Sequence, residues 1–258
     1  MTKTSALEDV SLETLKHRAH ALGLWGIVAQ WSTVANEAWL PTVIGYEESE
    51  RARRSLERRS HRAKLGRFKP LADFNWSWPS KIDRQLIEQL FTLEFVTEPA
   101  NVIIIGQNGA GKTMLAKNLA HHAVVHGYSS LFISASELLN DLAACATGSA
   151  LTRRLKHYCR PQVLVIDELG YLASSSEHAD LLFELVTRRY QLKPIILTSN
   201  KPFTEWGEVF PSAACVVALV DRLIHKAEVI TINAESYRLK EAQERSSLRQ
   251  KTTRKLKA

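Results

Sequence analysis

The sequence predicts an α/β protein in which a buried, five-stranded parallel β-sheet follows a small all-α domain. Three observations support this fold class. Five apolar runs of strand length alternate with helical patterns in the second part of the chain, and runs that are apolar at successive positions are typical of strands buried on both faces. A glycine-rich loop joins the first run to a helical pattern, and the first part of the chain shows only helical spacing. The predicted strands are residues 101–106, 129–134, 162–167, 194–199 and 228–233.

Residues 1–66 are predicted to form a helical N-terminal domain that binds DNA or a partner protein. Gly23 separates a first helix from a second one, whose apolar residues recur at three- and four-residue steps from Leu24. Pro41 is expected to end this second helix. A third helix over about 47–65 has a narrow apolar stripe and is otherwise rich in arginine.

A linker over residues 67–80, rich in aromatic residues and prolines, is expected before an α/β domain over residues 81–240. Trp76 and Trp78 in the linker either pack it against the core or stack near a bound base. A helix over about 81–96 precedes the first strand. The basic residues 241–258 are predicted to form a disordered tail.

The net charge of +7 is unevenly distributed along the 258 residues. Residues 51–67 contain eight Arg or Lys against one Glu, and residues 238–258 contain eight against two, so the rest of the chain is acidic. Basic ends on an acidic body are typical of a protein that binds a polyanion, although a solvated helix face and a plain tail would give the same counts. The apolar runs are too short to span a membrane, no signal peptide is visible, and the three dispersed cysteines fit a reducing compartment, so a cytoplasmic protein is expected.

Residues 106–113, GQNGAGKT, match the phosphate-binding pattern G-x-x-x-x-G-K-[ST] between a predicted strand and a predicted helix. The backbone N–H groups of such a loop and the N-terminus of the following helix bind phosphate oxygens. Lys112 is expected to bind the β- and γ-phosphates of ATP, and Thr113 to bind Mg²⁺. The predicted ATP-binding residues are Gly106, Gln107, Asn108, Gly109, Ala110, Gly111, Lys112, Thr113 and Met114.

Two further strand ends carry candidate catalytic residues. The run VLVIDE, residues 163–168, places Asp167 at the tip of a buried strand, where it can hold Mg²⁺ and its water, and Glu168 beside it, where it can activate the attacking water. This pair favours hydrolysis over phosphoryl transfer, although Glu168 could instead open a loop or cap the next helix. Asn200 follows the run 195–199 and is predicted to contact the γ-phosphate or the water, although Asn also ends strands for turn formation.

Two arginines near the fifth strand complete the candidate site. Arg222 is predicted to act as an arginine finger in the site of a neighbouring subunit, which accelerates hydrolysis by orders of magnitude. Arg238 is predicted to sense the bound nucleotide. Spacing alone favours a simpler interpretation for each, a surface salt bridge of small energy.

The chain resembles the IstB family, AAA+ ATPases that assist insertion-sequence transposition and are related to the DnaC helicase loader. The resemblance rests on GQNGAGKT, VLVIDELGYL, ILTSNKPFTEWGEVF and DRLIHKAEVITINAESYRLKEA, and it extends back through LADFNWSWP to the arginine-rich helix. It implies an AAA+ P-loop core with the strand order 5-1-4-3-2. Only about 25 residues follow the fifth strand, so no C-terminal lid domain is expected. By motif position, the resemblance implies Walker A roles for Lys112 and Thr113, Walker B roles for Asp167 and Glu168, a sensor role for Asn200, a finger role for Arg222 and nucleotide sensing by Arg238.

The resemblance also implies ATP-dependent self-assembly on duplex DNA, with ATP at the subunit interfaces, and delivery of that DNA to a partner transposase. Arginine-rich helices without Asn or Gln mostly contact phosphates, so weak sequence preference is expected. The predicted DNA-binding residues are Arg51, Arg54, Arg58, Arg59, Arg62, Lys64, Arg153 and Arg154, although the segment 152–158 could equally cover the sheet edge. Two rival functions remain: a DnaC-like loader that acts on a replicative helicase, and a P-loop kinase of small metabolites.

Overall fold

The computed structural model of the chain describes residues 11–171, 176–210, 214–237 and 239–240. Contacts divide the chain into two compact units, Met1–Arg58 and Arg59–Ala258. In the described part of the chain, no helix is both long enough and apolar enough to cross a membrane.

The described part of the first unit is helical. Its helices are α1 (Leu12–Ala21), α2 (Trp25–Ala29), α3 (Trp31–Val34) and α4 (Leu40–Ala63), the last of which runs past the unit boundary. Ser11 caps α1, because its hydroxyl oxygen accepts a hydrogen bond from the Thr14 backbone N–H at 3.2 Å. Leu15 of α1 packs with Leu40 and Ile44 of α4, so the unit has an apolar core of its own.

The predicted continuous helix from Leu24 to Pro41 is wrong. The chain forms α2 and α3 instead, and they are separated at Gln30, whose φ of −101° and ψ of 25° lie outside the helical region. Pro41 lies in the first turn of α4 and therefore begins a helix rather than ending one. A proline fits the first turn because its missing N–H would have no helical acceptor there.

Glutamates neutralise part of the arginine charge on α4. Arg51 pairs with Glu47, one turn earlier, at 2.6 Å. Arg53 and Arg54 both pair with Glu50. The sequence count overstated the free positive charge of this helix, because both glutamates precede the basic run. These pairs are exposed, so they are weak and sensitive to salt.

The second unit continues with helices that precede the first strand and lie between successive strands. They are α5 (Arg84–Leu90), α6 (Glu94–Thr97), α7 (Lys112–Val125), α8 (Ala135–Ala143), α9 (Gly148–Cys159), α10 (Ser176–Arg189), α11 (Trp206–Val209) and α12 (Val216–Ile224). The single helix predicted over 81–96 is split into α5 and α6. The reason is Leu93, which adopts a left-handed backbone conformation with φ of 63° between them and so interrupts the helical hydrogen bonds.

The five strands form one parallel sheet. They are β1 (Asn101–Gly106), β2 (Ser130–Ser134), β3 (Val163–Asp167), β4 (Ile195–Ser199) and β5 (Ala227–Ile232). Their order is β2-β3-β4-β1-β5, with parallel pairing throughout. Counted from the opposite edge this is 5-1-4-3-2, and every strand end lies within one residue of its predicted position. The structure therefore confirms the predicted fold class.

The strand order places three predicted site segments next to one another. β4 lies between β1 and β3, with Ile105 paired with Ser199 and Ile166 paired with Leu197. Because neighbouring parallel strands end on the same side of a sheet, the chain leaves β1, β3 and β4 at one edge, where the glycine-rich loop, Asp167 and Asn200 follow.

Helices cover the sheet around a continuous apolar core. α7 packs against β1, β2, β3 and β4, and its Leu115 is fully buried. A core cluster joins Ile103 and Leu164 of the sheet with Leu138 of α8 and Leu182 of α10. Complete burial of one such side chain stabilises the fold by about 1.5–3 kcal/mol, so this packing fixes the sheet that supports the site.

Arg189, the last residue of α10, is a buried arginine that links its helix to the starts of two strands. One terminal nitrogen donates to the carbonyl oxygens of Tyr158 and Pro161, both at 3.0 Å. The other donates to those of Gln162 at 3.0 Å and Pro194 at 2.8 Å. Burial lowers the pKa of Arg189 to about 10, which still leaves the side chain charged at neutral pH. The guanidinium thus donates hydrogen bonds to carbonyl groups that precede β3 and to one that precedes β4, and it joins these segments.

Candidate nucleotide site

The glycine-rich loop joins β1 to α7 and has the backbone of a phosphate-binding turn. Gly109 and Gly111 have φ of 79° and 98°, in the left-handed region that glycine adopts without steric cost. Space requires glycine as well, because a Cβ on Gly111 would lie 2.7 Å from Phe74 and one on Gly109 would collide with Ser236. Gly111 precedes the first turn of α7, so the unpaired N–H groups of that turn face the loop.

Lys112 is the first residue of α7, and its buried side chain folds back across the loop. The ammonium group donates to the carbonyl oxygens of Gly106 at 2.8 Å and Gln107 at 3.0 Å. These contacts hold the positive charge inside the loop. Because hydrogen bonds to anionic oxygens are stronger than those to neutral carbonyls, a bound phosphate would attract this ammonium group.

Thr113 and Asp167 lie in contact at the end of β3. The Thr113 hydroxyl oxygen is 3.0 and 3.1 Å from the two carboxylate oxygens of Asp167. Thr198 of β4 donates to Asp167 Oδ1 at 2.6 Å. A hydroxyl and a carboxylate are hard oxygen ligands of the kind that Mg²⁺ prefers, so this donor set fits Mg²⁺.

Thr198 also fixes Glu168, and the sequence reasoning did not identify this threonine. Glu168 adopts a left-handed backbone conformation with φ of 63°, which costs energy for a residue with a side chain. Its backbone N–H donates to the Thr198 hydroxyl oxygen at 2.9 Å. The same hydroxyl therefore contacts both acidic residues. The signal in the sequence was a polar residue inside the apolar run 195–199.

Asn200 follows β4 and carries a buried side-chain oxygen that has no hydrogen-bond partner among the described residues. Gly170 approaches this oxygen so closely that a Cβ there would collide with it. Asn200 and Glu168 line the same cavity. A buried acceptor without a partner is costly, and a donor from water or a ligand would satisfy it.

A cavity of about 270 Å³ lies beside the loop. Residues 108–114 form one wall, and Phe74, Trp78 and Tyr237 provide aromatic surface. An apolar, aromatic wall next to an anion-binding loop suits a nucleotide, which has a flat base and charged phosphates. The other two predicted ATP-binding residues, Gly106 and Gln107, lie behind this lining and accept hydrogen bonds from Lys112.

The linker is attached to α7 by a side chain that the sequence reasoning missed. Asn118 is buried on α7. Its amide oxygen accepts a hydrogen bond from the Leu71 N–H at 2.9 Å, and its amide nitrogen donates to the Lys69 carbonyl oxygen at 2.9 Å. These bonds hold the linker beside the loop. A single polar residue on an otherwise apolar helix face was the signal.

The two tryptophans of the linker have different surroundings. Trp76 packs edge to face on Phe74, and the Arg84 guanidinium lies 5.0 Å from its ring centre. Trp78 lines the cavity and donates from Nε1 to the Glu235 carbonyl oxygen at 2.9 Å. Trp76 therefore has a packing role in the linker. Trp78 packs as well, and it also lies beside the cavity.

Arg222 lies on α12 and is not among the described residues that line the cavity of its own chain. Its guanidinium donates to the Thr187 hydroxyl oxygen at 2.9 Å and lies 4.3 Å from the Phe183 ring centre. Both partners belong to α10, so the side chain rests across two neighbouring turns of that helix. The other predicted arginine, Arg238, lies outside the described residues.

The predicted DNA-binding residues differ in their contacts. In the first unit, Arg51 and Arg54 pair with glutamates and Arg58 is exposed.

In the second unit, Arg59 donates to the Val124 carbonyl oxygen at 3.1 Å, and Arg154 pairs with Asp141 at 2.8 Å. Of the predicted DNA-binding residues in this unit, Arg62, Lys64, Arg153 and Arg154 are exposed. The segment 152–158 lies in α9, whose Leu155 and Tyr158 are buried and whose basic side chains are exposed.

Comparisons with known proteins agree with the fold and the loop. Residues 7–245 match the family model described as IstB-like ATP binding protein. The chain is 34% identical over 238 residues to the insertion sequence IS5376 putative ATP-binding protein of Geobacillus stearothermophilus, which covers 89% of this chain and 95% of the relative. It is 39% identical over 215 residues to the insertion sequence IS21 putative ATP-binding protein of Pseudomonas aeruginosa, covering 83% of this chain and 81% of the relative.

The fold is also similar to the crystal structure of the DnaC helicase loader, with a TM-score of 0.50 and 22% identity over 66% of this chain and 97% of that chain. A likeness at this level of identity concerns the fold alone. The family match and the two relatives decide the assignment. The chain therefore belongs to the family of IstB-like ATP-binding proteins of insertion sequences.

Proposed function

We propose that this protein hydrolyses ATP with Mg²⁺, assembles with copies of itself on duplex DNA, and delivers that DNA to a partner transposase. The observation that supports hydrolysis best is the group of Thr113, Asp167, Glu168 and Asn200 beside the phosphate-binding loop. The relatives belong to insertion sequences, and a DNA-binding helper with a transposase partner is the function that this context supports.

Each side chain of the group has a role in the proposed reaction. Lys112 and the N-terminus of α7 bind the phosphates and neutralise their charge. Thr113 and Asp167 would hold Mg²⁺, which supplies charge stabilisation to the transferring phosphoryl group. Glu168 accepts a proton from the attacking water, and the unpartnered oxygen of Asn200 orients that water. The left-handed backbone at Glu168 directs its carboxylate toward the cavity that a nucleotide would fill.

The site gains its arginine from a second subunit in this proposal. The cations among the described residues that line the cavity are Lys69 and Lys112, and phosphoryl transfer gains several orders of magnitude from an added arginine. Arg222 is half-buried, rests on α10 and is not among the described residues that line its own cavity. We assign it to the nucleotide site of the neighbouring copy, which makes hydrolysis dependent on assembly.

The DNA partner is supported by charge and exposure. Arg58, Arg62, Lys64 and Arg153 are exposed cations, and no pattern of Asn or Gln beside them suggests base recognition. Binding through phosphates makes affinity fall steeply with salt, by a log-log slope of about 0.9 for each phosphate contacted. We therefore expect weak sequence preference and strong salt dependence.

A mixing experiment tests the shared site. Arg222→Ala and Lys112→Ala should each abolish DNA-stimulated ATP hydrolysis, because one lacks the finger and the other lacks the phosphate-binding ammonium. An equimolar mixture of the two variants should regain activity, since a Lys112 site can then meet an Arg222 from a neighbour. Arg188→Ala is the matched control, because Arg188 on α10 pairs with Glu184 of the same helix and should keep wild-type turnover.

A mixture that stays inactive would overturn the shared site. Arg222→Ala with full turnover would do so as well, and turnover that is indifferent to duplex DNA would favour the small-metabolite kinase instead.

The second candidate function is that of a helicase loader, which has the same fold in DnaC and which the sequence left open. The two functions share ATP binding and differ in the protein partner. Affinity capture with the transposase encoded beside this gene, and in parallel with a replicative helicase, separates them. ATP-dependent binding to the helicase alone would replace the transposition function with the loader function.

A further inference from the structure

Exposed cations from two segments of the second unit, Lys64 after α4 and Arg154 and Arg160 at α9, lie close enough to His157 to act on its charge. Lys64 follows α4 and has a left-handed backbone conformation with φ of 52°. The residues on either side, Ala63 and Leu65, are both buried. This alternation anchors the turn and leaves the Lys64 side chain exposed. The backbone position of Lys64 is therefore held by its two buried neighbours.

The exposed face of α9 supplies the other cations of this group. Arg154, His157 and Arg160 follow one another at three-residue steps, which places them on neighbouring turns of one helix face. Tyr158, which directly follows His157, is buried, and its hydroxyl donates to Asp141 at 2.5 Å. Asp141 also pairs with Arg154 at 2.8 Å, so this carboxylate already has two partners.

His157 lies at the centre of these cations. Partial burial lowers the pKa of His157, and the nearby positive charges of Arg154, Lys64 and Arg160 lower it further, while Asp141 acts in the opposite direction. The imidazole is therefore neutral at pH 7. It is also exposed and can approach a ligand. The groups that act on its pKa include three cations and one carboxylate, Asp141, so positive charge exceeds negative charge around the imidazole.

We propose that Lys64, Arg154, His157 and Arg160 form one phosphate-binding surface for duplex DNA, and that His157 takes up a proton when DNA binds. The inference rests on the proposed DNA-binding function and names the surface that performs it. Two DNA phosphates that approach the cations add negative charge around His157. This charge favours the imidazolium form of the side chain. Duplex rather than single-stranded DNA is the expected ligand, because the aromatic ring of this surface, Tyr158, is buried and offers no stacking face to a base.

The sign of the pH effect follows from linkage. The pKa of His157 is low in the free protein and rises in the DNA complex, so the complex holds more protons than the free protein between these two values. Affinity must then increase as pH falls through this interval. The increase is at most about tenfold per pH unit for one linked proton, and it ends once His157 is protonated in the free protein as well.

The test measures binding of the full chain to a labelled duplex by fluorescence anisotropy, with a non-hydrolysable ATP analogue, from pH 6 to pH 8. The wild type should bind more tightly at low pH. His157→Gln should keep the weak, high-pH affinity throughout, and His157→Lys should keep the tight, low-pH affinity throughout. Titration calorimetry in buffers of different ionisation enthalpy should show fewer protons taken up by His157→Gln than by the wild type.

A salt series at constant pH tests the two cations. The double variant Lys64→Gln/Arg160→Gln should flatten the log-log salt slope by about 0.9 for each phosphate that the variant no longer neutralises. Lys226→Gln is the control for loss of an exposed charge elsewhere, because Lys226 is an exposed lysine in the turn before β5; it removes one positive charge, and the double variant removes two. Each variant should bind the fluorescent ATP analogue like the wild type, which shows that it is folded.

Two results would overturn the surface while leaving DNA binding intact: a wild-type pH profile in His157→Gln, or equal salt slopes in the double variant and in Lys226→Gln. A wild-type protein that does not bind duplex DNA at any pH would instead refute the proposed function itself.

Discussion

At the scale of a single side chain, Thr198 connects the two acidic residues of the site. Its hydroxyl donates to Asp167 at 2.6 Å and accepts the backbone N–H of Glu168 at 2.9 Å. It is completely buried, so water cannot replace it without rearrangement of the core. Such supporting groups orient the residues that perform chemistry.

We expect Thr198→Val to lower ATP turnover by about 10- to 100-fold, the usual effect of losing a supporting hydrogen bond at a metal site, with little change in nucleotide affinity. Valine keeps the shape of the side chain and removes the hydroxyl. Steady-state turnover and fluorescent nucleotide binding measure the two effects. Thr97→Val is the control, since Thr97 donates to the Glu94 carbonyl within α6. Full turnover in Thr198→Val would show that the acidic pair needs no such support.

Arg222 rests on a platform made by two residues of α10. Phe183→Leu should lower DNA-stimulated turnover by about two- to fivefold, because the cation–π contact that orients the guanidinium contributes about 0.5–1 kcal/mol at an exposed site. The Michaelis constant for ATP should not change, since Phe183 is not among the described residues that line the cavity. Kinetics of the assembled protein measure both. Faster turnover in the variant would mean that the platform holds Arg222 back instead of orienting it.

The positions of site residues that belong to sequence motifs could be predicted, and the positions of those that depend on packing could not. The loop, Asp167, Glu168 and Asn200 were selected by spacing, and they come together at one edge of the sheet. Thr198 and Asn118 were missed because their roles arise from contacts with segments far away in the chain.

At the scale of elements, strands were predicted far better than helix ends. Every strand lies within one residue of its apolar run, because burial on both faces leaves a continuous signal. The predicted helix boundaries were wrong at Pro41 and at Leu93. A proline both begins and ends helices, and the left-handed backbone of Leu93 depends on tertiary packing that a local pattern does not contain.

The carbonyl groups bound by Arg189 give a test at the same scale. Arg189→Gln should lower the free energy of unfolding by about 3 kcal/mol or more, because several buried carbonyls lose their charged donor at once. Arg188→Gln is a matched control at the next position and should change stability little, since Arg188 is a partly exposed partner of Glu184. Urea unfolding of both variants measures the difference. Equal stabilities would show that the carbonyls find other donors.

At the scale of the whole molecule, the proposed activity depends on more than one copy of the chain. In this proposal, one copy would provide Lys112, Asp167 and Glu168, and a neighbouring copy would provide Arg222, which is not among the described residues that line the cavity of its own chain. If the proposal holds, the phosphate contacts of basic residues outside the nucleotide site would add up when copies assemble. Sequence motifs suggested this arrangement, but they do not specify how many subunits it contains, because the contacts between copies are not encoded in local spacing.

The mass of the complex tests the central claim most directly. Sedimentation velocity would be measured with a non-hydrolysable ATP analogue and a long duplex, for the wild type and for Arg222→Ala. We expect several wild-type subunits to bind each DNA molecule with the analogue and no subunits to bind without it. Fewer subunits of Arg222→Ala should bind each DNA molecule. A wild-type protein that remains a single subunit with nucleotide and DNA both present would contradict the account.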